Sequence, residues 1–435
     1  ARGPAPARDI SARDRRTERL AILDAAWKTV RDKHYDKTLG GLDWNAVRAR
    51  YEPLALGAPS EAAFYRVLNQ MIGEVGQSHM TITGPGADDE DDIEELADPG
   101  ETAIAGSTPA AAPVPGAIGD PGLTVRVIEG RPTISDVRHG SAAERAGLQP
   151  GFIVTAIAGR ELKVTTDSAR ALRPVEERFA VRRLAMRRLL GAAGTRVSVN
   201  YLDNADKPGH VVLVRDLPSV PPVRIGHLPP LYPEVHVRQR GDVAIISFNV
   251  FLVEPVLGEI KKAIDGLHAR GAKALILDLR GNPGGQAAIA IPIAARLVDA
   301  PLTLGTIQFR DFMQTLVARP EPGVTPFLGP VAILTDESTA SASELLAAGL
   351  QEAKRAIVVG DATLGAALPS VIASLPNGAV MQYVVADFKT PKGVMLEGRG
   401  VQPDKRIIET RAGLRTGHDP VLDAALVAVR ASRAR

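Results

Sequence analysis

The chain has 435 residues, 45% of them apolar and 23% charged, the proportions of a globular protein long enough for two or three domains, each with its own core. A net charge of +2, with both signs scattered, gives no reason to expect nucleic acid or an anionic membrane as partner. Cysteine is absent, which excludes disulfides, thiolate metal sites and cysteine nucleophiles.

The first residues, ARGPAPARDISARDRR, contain no initiator methionine and no hydrophobic signal core, and read as a removed secretory signal or a trimmed chain. Residues 11–83 read as a small helical domain. TERLAILDAAWKTVRDKHYD carries Leu20, Ile22, Leu23, Ala26, Trp27 and Val30 at helical spacing, and a second amphipathic run follows Ser60, a suitable N-cap. The domain ends in VGQSHMTI. Residues 84–119, acidic at Asp88–Asp92 and then rich in Pro, Ala and Gly, read as a solvated linker, since the acidic run lacks calcium-loop spacing.

Residues 120–216 open with strand-like LTVRVIEGRPTISDV. A short helix near Ala142–Ala146, a Gly-Leu turn and the strand–turn–strand PGFIVTAIAGREL follow. Gly140-Ser141-Ala142-Ala143, then Ala146-Gly147-Leu148-Gln149-Pro150-Gly151, Ile153 and Gly159, resemble a PDZ domain. That resemblance implies a β-rich domain that adds a peptide strand to a sheet edge, with a carboxylate grip near Pro121, Gly122 and Leu123. The arginine-rich segment Ala169–Gly191 reads as a helix with a solvated basic face.

A proline-rich connector, residues 217–235, leads to a last block, 236–432, in which strands and helices alternate. Such alternation predicts a mostly parallel sheet flanked by helices, with the active site at the carboxyl ends of strands. Both DLRGNPGG (Asp278–Gly285) and TDESTAS (Thr335–Ser341) stand at such ends. The best apolar run, Ala287–Val298, is too short to span a bilayer and contains Pro292. In TDESTASASELL a strand passes through small residues into an amphipathic helix, so a hydroxyl stands at a helix N-terminus where unpaired N–H groups favour negative charge.

DLRGNPGG, STASASE, RAIVVGDATLG and EGRGVQPD occur in the order and with the flanking elements of the S41 serine peptidases, the C-terminal processing proteases and their tricorn-core relatives, which the chain resembles over nearly its whole length. The resemblance implies a multidomain α/β protein: a helical N-terminal domain, a PDZ-like β-rich domain and a ClpP/crotonase-like α/β catalytic core. It also implies Ser341 as nucleophile, with Ser338 and Ser343 as turn and capping serines. The oxyanion hole would come from a glycine amide, Gly284 or Gly285, together with the amide of Ala342.

The base is where this sequence departs from the processing proteases. Their Thr-Phe-Gly-Lys-Gly is here Thr363-Leu364-Gly365-Ala366-Ala367, and Ala366 at the lysine position accepts no proton. Lys389 and Lys392 would need burial to lower their pKa by ~3 units. A histidine needs no such tuning, with an ordinary pKa of ~6.5. The tricorn-type branch carries its base in a Gly-x-Ser-His stretch, and by that pattern the catalytic set is Ser341, His79, Ser78 and Glu397.

These readings predict a serine endopeptidase acting on polypeptides, with engagement of their C-termini through the PDZ-like domain. The alternative is a non-catalytic peptide- or ligand-binding member of the same fold. No His-x-x-x-His pair or carboxylate cluster lies outside the linker, so neither metal nor cofactor is expected. From the family habit and the Met-less start, a bacterial periplasmic or secreted protein is expected.

Overall fold

Apolar residues at helical spacing build three helices, Ala12–Lys33, Trp44–Leu56 and Glu61–Gly73, in the computed structural model, which describes residues 12–85, 117–163, 172–223 and 231–432. Most of the linker, including Asp88–Asp92, lies outside the described residues, as does the start of the arginine-rich segment. Those described fall into two compact units. One gathers residues of Ala1–Glu94, Ile307–Gln314 and Leu368–Asp387; the other gathers Glu95–Thr306, Thr315–Ala367 and Phe388–Arg435.

In the first unit, Ile22, Leu23, Ala26, Trp27 and Val30 from the first helix meet Phe64, Leu68, Met71 and Ile72 from the third. The indoles of Trp27 and Trp44 each donate to the other's carbonyl, at 2.9 and 3.0 Å, so neither buried N–H is left unpaired. Ser60 caps the third helix by accepting from the Ala63 amide. The helices are not self-sufficient. Strand Thr81–Thr83 pairs antiparallel with Val380–Val384, which pairs with Ser370–Ser374, and Leu368, Leu375, Met381 and Val384 enter the same core. A hairpin from the block read as 236–432 therefore completes the N-terminal helical core. A lone three-residue strand needs such a partner for its backbone groups.

The second unit holds a β-rich domain and an α/β core. The β-rich domain is an antiparallel sheet of Leu123–Ile128, Arg131–Val137, Ile153–Ile157, Arg196–Leu202 and Pro208–Val214 in that spatial order, with Leu123–Ile128 at one edge. Val125, Ile134, Ile157, Val197 and Leu213 close its core against Ala185 and Leu189 of the helix Pro174–Leu189.

The α/β core has six strands in the order Val235–Arg240, Val243–Phe248, Ala274–Asp278, Val331–Thr335, Ala356–Gly360 and Lys405–Arg406. Every pair but the first is parallel. Ala274–Asp278 and Val331–Thr335 are buried along their whole length, as central parallel strands covered on both faces must be. Helix Pro420–Ser432 covers one face through Val421, Leu422, Ala425 and Val429. Among the described residues no helix is long and apolar enough to cross a membrane.

Candidate active site

Strand Val331–Thr335 delivers the turn Asp336–Ala340, all five residues buried, to Ser341 at the head of the helix Ala342–Glu352. Asp336 shapes the turn by accepting from the amides of Ser338 and Thr339, and the Thr339 hydroxyl donates to the carbonyl of Leu279 on the neighbouring strand end. Ser341 then takes φ 53°, ψ −122°, a conformation that costs a non-glycine residue energy. A strained strand-to-helix turn of this kind lifts a serine hydroxyl clear of the sheet. Of the three candidate serines only Ser341 is part-exposed. Ser338 is buried, and buried Ser343 donates its hydroxyl to the carbonyl of Asn282.

The glycines of DLRGNPGG lie against this turn. A Cβ on Gly284 would come within 2.7 Å of the Ser341 Cβ and 2.8 Å of the Ala342 nitrogen, so the backbone there must be glycine. The Gly284 amide donates to the Asn282 side chain at 2.9 Å and is occupied. Gly285 differs. It bridges Phe251 in parallel, with Phe251 donating to the Gly284 carbonyl and Gln286 donating to the Phe251 carbonyl. In that pattern the N–H of Gly285 points away from Phe251. Ala342, first residue of its helix, likewise has no intrahelical acceptor for its N–H.

The segment Thr363–Ala367 closes on the same turn. Ala366, at the lysine position, contributes its carbonyl, which accepts from the Ser341 amide at 2.9 Å. Glu397 accepts from the Ala367 amide at 3.0 Å. Lys389 and Lys392 have exposed side chains, so the burial a lysine base needs is missing at both.

One residue in this region carries no role in the sequence reading. Glu344, with no exposed surface, accepts from the Thr363 hydroxyl at 2.5 Å and from the amides of Gly365, Ser341 and Ala366 at 2.8, 2.9 and 3.0 Å. Burial pushes its carboxyl up to about 7, against the four donors, which favour the charged form. Its sequence signal is Ser341-x-x-Glu344, a capping box at a helix start. Asn282 is a second such residue: fully buried, it joins the glycine turn to the strand end through Phe248.

The arginine-rich helix does not present a solvated face. Arg173 donates to the carbonyls of Leu364 and Gly398, beside the segments bearing Ala366 and Glu397. Arg178 pairs with Asp361 at 2.8 Å and Arg182 with Asp336 at 3.3 Å. Arg126, on the edge strand, adds a two-pronged pair with Glu337 at 3.0 and 2.8 Å. Buried carboxylates on the core draw these cations inward. In the peptide-grip region Pro121, Gly122 and Leu123 are all buried, and the Gly122 amide donates to Asp120 at 2.8 Å.

In the first unit, Ser78 Oγ and His79 Nδ1 lie 2.7 Å apart, and His79, like Ser341, has a positive φ, 59°. Burial lowers the His79 imidazole to about 4, so it is neutral throughout the neutral range. The loop before it is buttressed by His34, whose Nε2 lies 2.7 Å from the Gln77 side-chain oxygen.

Residues 241–407 match the family model described as Peptidase family S41, and residues 15–73 match that of the Tricorn protease C1 domain. The carboxyl-terminal-processing protease of Synechocystis sp. is 26% identical over 396 residues, which make up 89% of this chain and 81% of that protein. The solved structure of a photosystem II D1 C-terminal processing protease aligns with a TM-score of 0.57 at 20% identity, over 90% of this chain and 93% of that one. That of mature CPAF complexed with lactacystin aligns at 0.64 and 15% identity, over 96% and 98%. At such identities the two solved structures speak to the fold alone.

Proposed function

We propose that this chain, a serine-type peptidase whose residues 241–407 match the family S41 model, cleaves polypeptides through an acyl-enzyme on Ser341, with His79 as general base in place of the lysine of the processing proteases. The observation that carries the reading is the strained Ser341 turn, part-exposed at a helix head beside a glycine that leaves room for nothing larger. Support for the base is chemical. Ala366 can take no proton, whereas a neutral imidazole in the tautomer that donates Nδ1–H to Ser78 Oγ, 2.7 Å away, presents Nε2 as a lone-pair acceptor.

In this mechanism His79 removes the Ser341 Oγ proton as Oγ attacks the scissile carbonyl. The oxyanion forms against the amides of Gly285 and Ala342. The tetrahedral centre then expels the amine, which takes the proton from His79, and water repeats the sequence on the ester. Glu397 acts through the backbone it holds at Ala367. The Synechocystis relative is named for carboxyl-terminal processing. We extend that to this chain: substrates are polypeptides cut near their C-termini, taken up along the edge strand Leu123–Ile128 beside Pro121 and Gly122.

The test is covalent labelling by a fluorophosphonate probe in wild type, Ser341→Ala, His79→Ala and Glu397→Ala. The proposal expects labelling in wild type, none in the first two variants, and slowed labelling in the third. Labelling that survives His79→Ala sinks the base assignment; a wild type that never labels returns the binding-protein reading.

A further inference from the structure

We propose that Glu344 is a positioning residue of this active site, tying the Ser341 turn to the segment Thr363–Ala366 through one buried carboxylate. The inference rests on the reading of Ser341 as nucleophile and goes beyond it. One oxygen takes the Thr363 hydroxyl and the Gly365 amide, the other the amides of Ser341 and Ala366. The two strands of the tie are separated by about twenty residues of chain, yet the same carboxylate fixes both.

Helix capping alone does not explain this arrangement. A capping box asks only that the third helical residue reach back to one amide, and glutamine does so as well as glutamate. Here four donors converge, and only a carboxylate, which carries no proton of its own, accepts from all four. Among the described residues no cation pairs with Glu344; its favourable partners are neutral donors. Two charged groups act on the backbone of the segment: Arg173 on the Leu364 carbonyl and Glu397 on the Ala367 amide. An uncompensated buried charge is costly, and such groups cluster where chemistry uses them. Direct backbone bonds, Ser341 to the Ala366 carbonyl and Leu364 to the Thr339 carbonyl, hold the same segment to the turn, and the Glu344 carboxylate adds to them.

The test is the rate of fluorophosphonate labelling of Ser341, from about pH 5 to about pH 9, in wild type, Glu344→Gln and Thr363→Val, with a thermal melt to establish folding. Glutamine keeps the cap and the volume but turns an NH2 towards donors. Glu344→Gln is expected to label about ten- to a hundredfold more slowly on the alkaline side. It should also lack the rise through about pH 7 that is expected of the wild type as Glu344 ionises. Thr363→Val, which removes one donor to the carboxylate, moves that rise to higher pH. A folded Glu344→Gln with the wild-type rate and profile overturns the inference. Should Glu344→Gln fail to fold, an unmoved profile in Thr363→Val overturns it. Either result leaves wild-type labelling intact, and so is distinct from failure of the Ser341 assignment, in which the wild type does not label or Ser341→Ala still does.

Discussion

Gly284 stands so close to Ser341 that a methyl group on it would approach the serine Cβ to 2.7 Å. The same methyl would meet the Ala342 nitrogen at 2.8 Å, over the amide assigned to the oxyanion, and φ is 93°. Gly284→Ala therefore suffers twice. The positive φ costs about 1–2 kcal/mol, and the methyl screens an oxyanion donor typically worth ~3 kcal/mol. The same Cβ would also meet the Ala340 carbonyl oxygen at 2.7 Å, so the turn must shift, and the expected outcome is a clearly lower Tm with kcat/KM down about 10²- to 10³-fold. Peptide hydrolysis and a thermal melt on one preparation decide it, and retained activity would remove Gly284 from the site.

Elements set by local chemistry were legible in the sequence. The Ser60 cap, the short helix after Ser141 and the two central strands ending in Asp278 and Thr335 follow from neighbouring residues, and each stands where expected. What was not legible depends on partners distant in the chain. The basic helix reads as solvated because nothing near Arg178 or Arg182 announces Asp361 or Asp336, more than 150 residues away. The hairpin Ser370–Val384 reads as core until Thr81–Thr83 is seen to need a partner. Gly284 and Gly285 are indistinguishable as letters, and only the Asn282 side chain separates them. Glu344 carries no role in the sequence reading: the pattern Ser341-x-x-Glu344 could have marked it as a cap, but nothing near it announces its other three donors.

His79 ties stability to pH. Its folded pKa, about 4, lies below the unfolded value, so below about 6.5 the unfolded chain binds a proton that the folded one refuses. Stability from this group is complete above that pH, declines as pH falls to about 4, and changes no further below it. His79→Gln removes the effect. The difference in urea midpoint between wild type and variant should shift in the variant's favour as pH drops from 7 towards 4. A difference that does not vary with pH would mean that the imidazole is not desolvated.

Arg126 carries a heavier structural load. It faces Glu337 and Asp336, 1% and 2% exposed, and Glu409. Burial alone would raise the Asp336 carboxyl, yet Arg126 and Arg182 hold it down to about 2. Arg126→Ala leaves buried carboxylates without their counter-charge, a loss of about 3–5 kcal/mol. The deficit should shrink in acid, where those carboxylates can take protons instead. Urea denaturation at neutral pH and near pH 3 measures both parts, and a neutral-pH loss below about 1 kcal/mol would show the pair to be solvated.

If the carboxylate grip lies at Gly122 as proposed, Asp120 competes with the chain end for it. One of its oxygens accepts from the Gly122 amide at 2.8 Å and the other lies 3.0 Å from Arg138, so a side-chain carboxylate already occupies the donors that a peptide's terminal carboxylate would seek. An incoming free acid must displace it. In Asp120→Ala the amide and the guanidinium are both released, and charge-assisted hydrogen bonds to them become available to the ligand. On a Ser341→Ala background, which prevents cleavage, the preference for a peptide with a free C-terminus over its C-terminal amide should rise about three- to tenfold. Binding of the amidated peptide should change little, because its strand-addition contacts along Leu123–Ile128 do not involve Asp120. Fluorescence anisotropy with the two peptides reads the ratio directly. An unchanged ratio would place the carboxylate grip elsewhere, and a wild type already strongly selective for the free acid would mean that Asp120 yields its position readily.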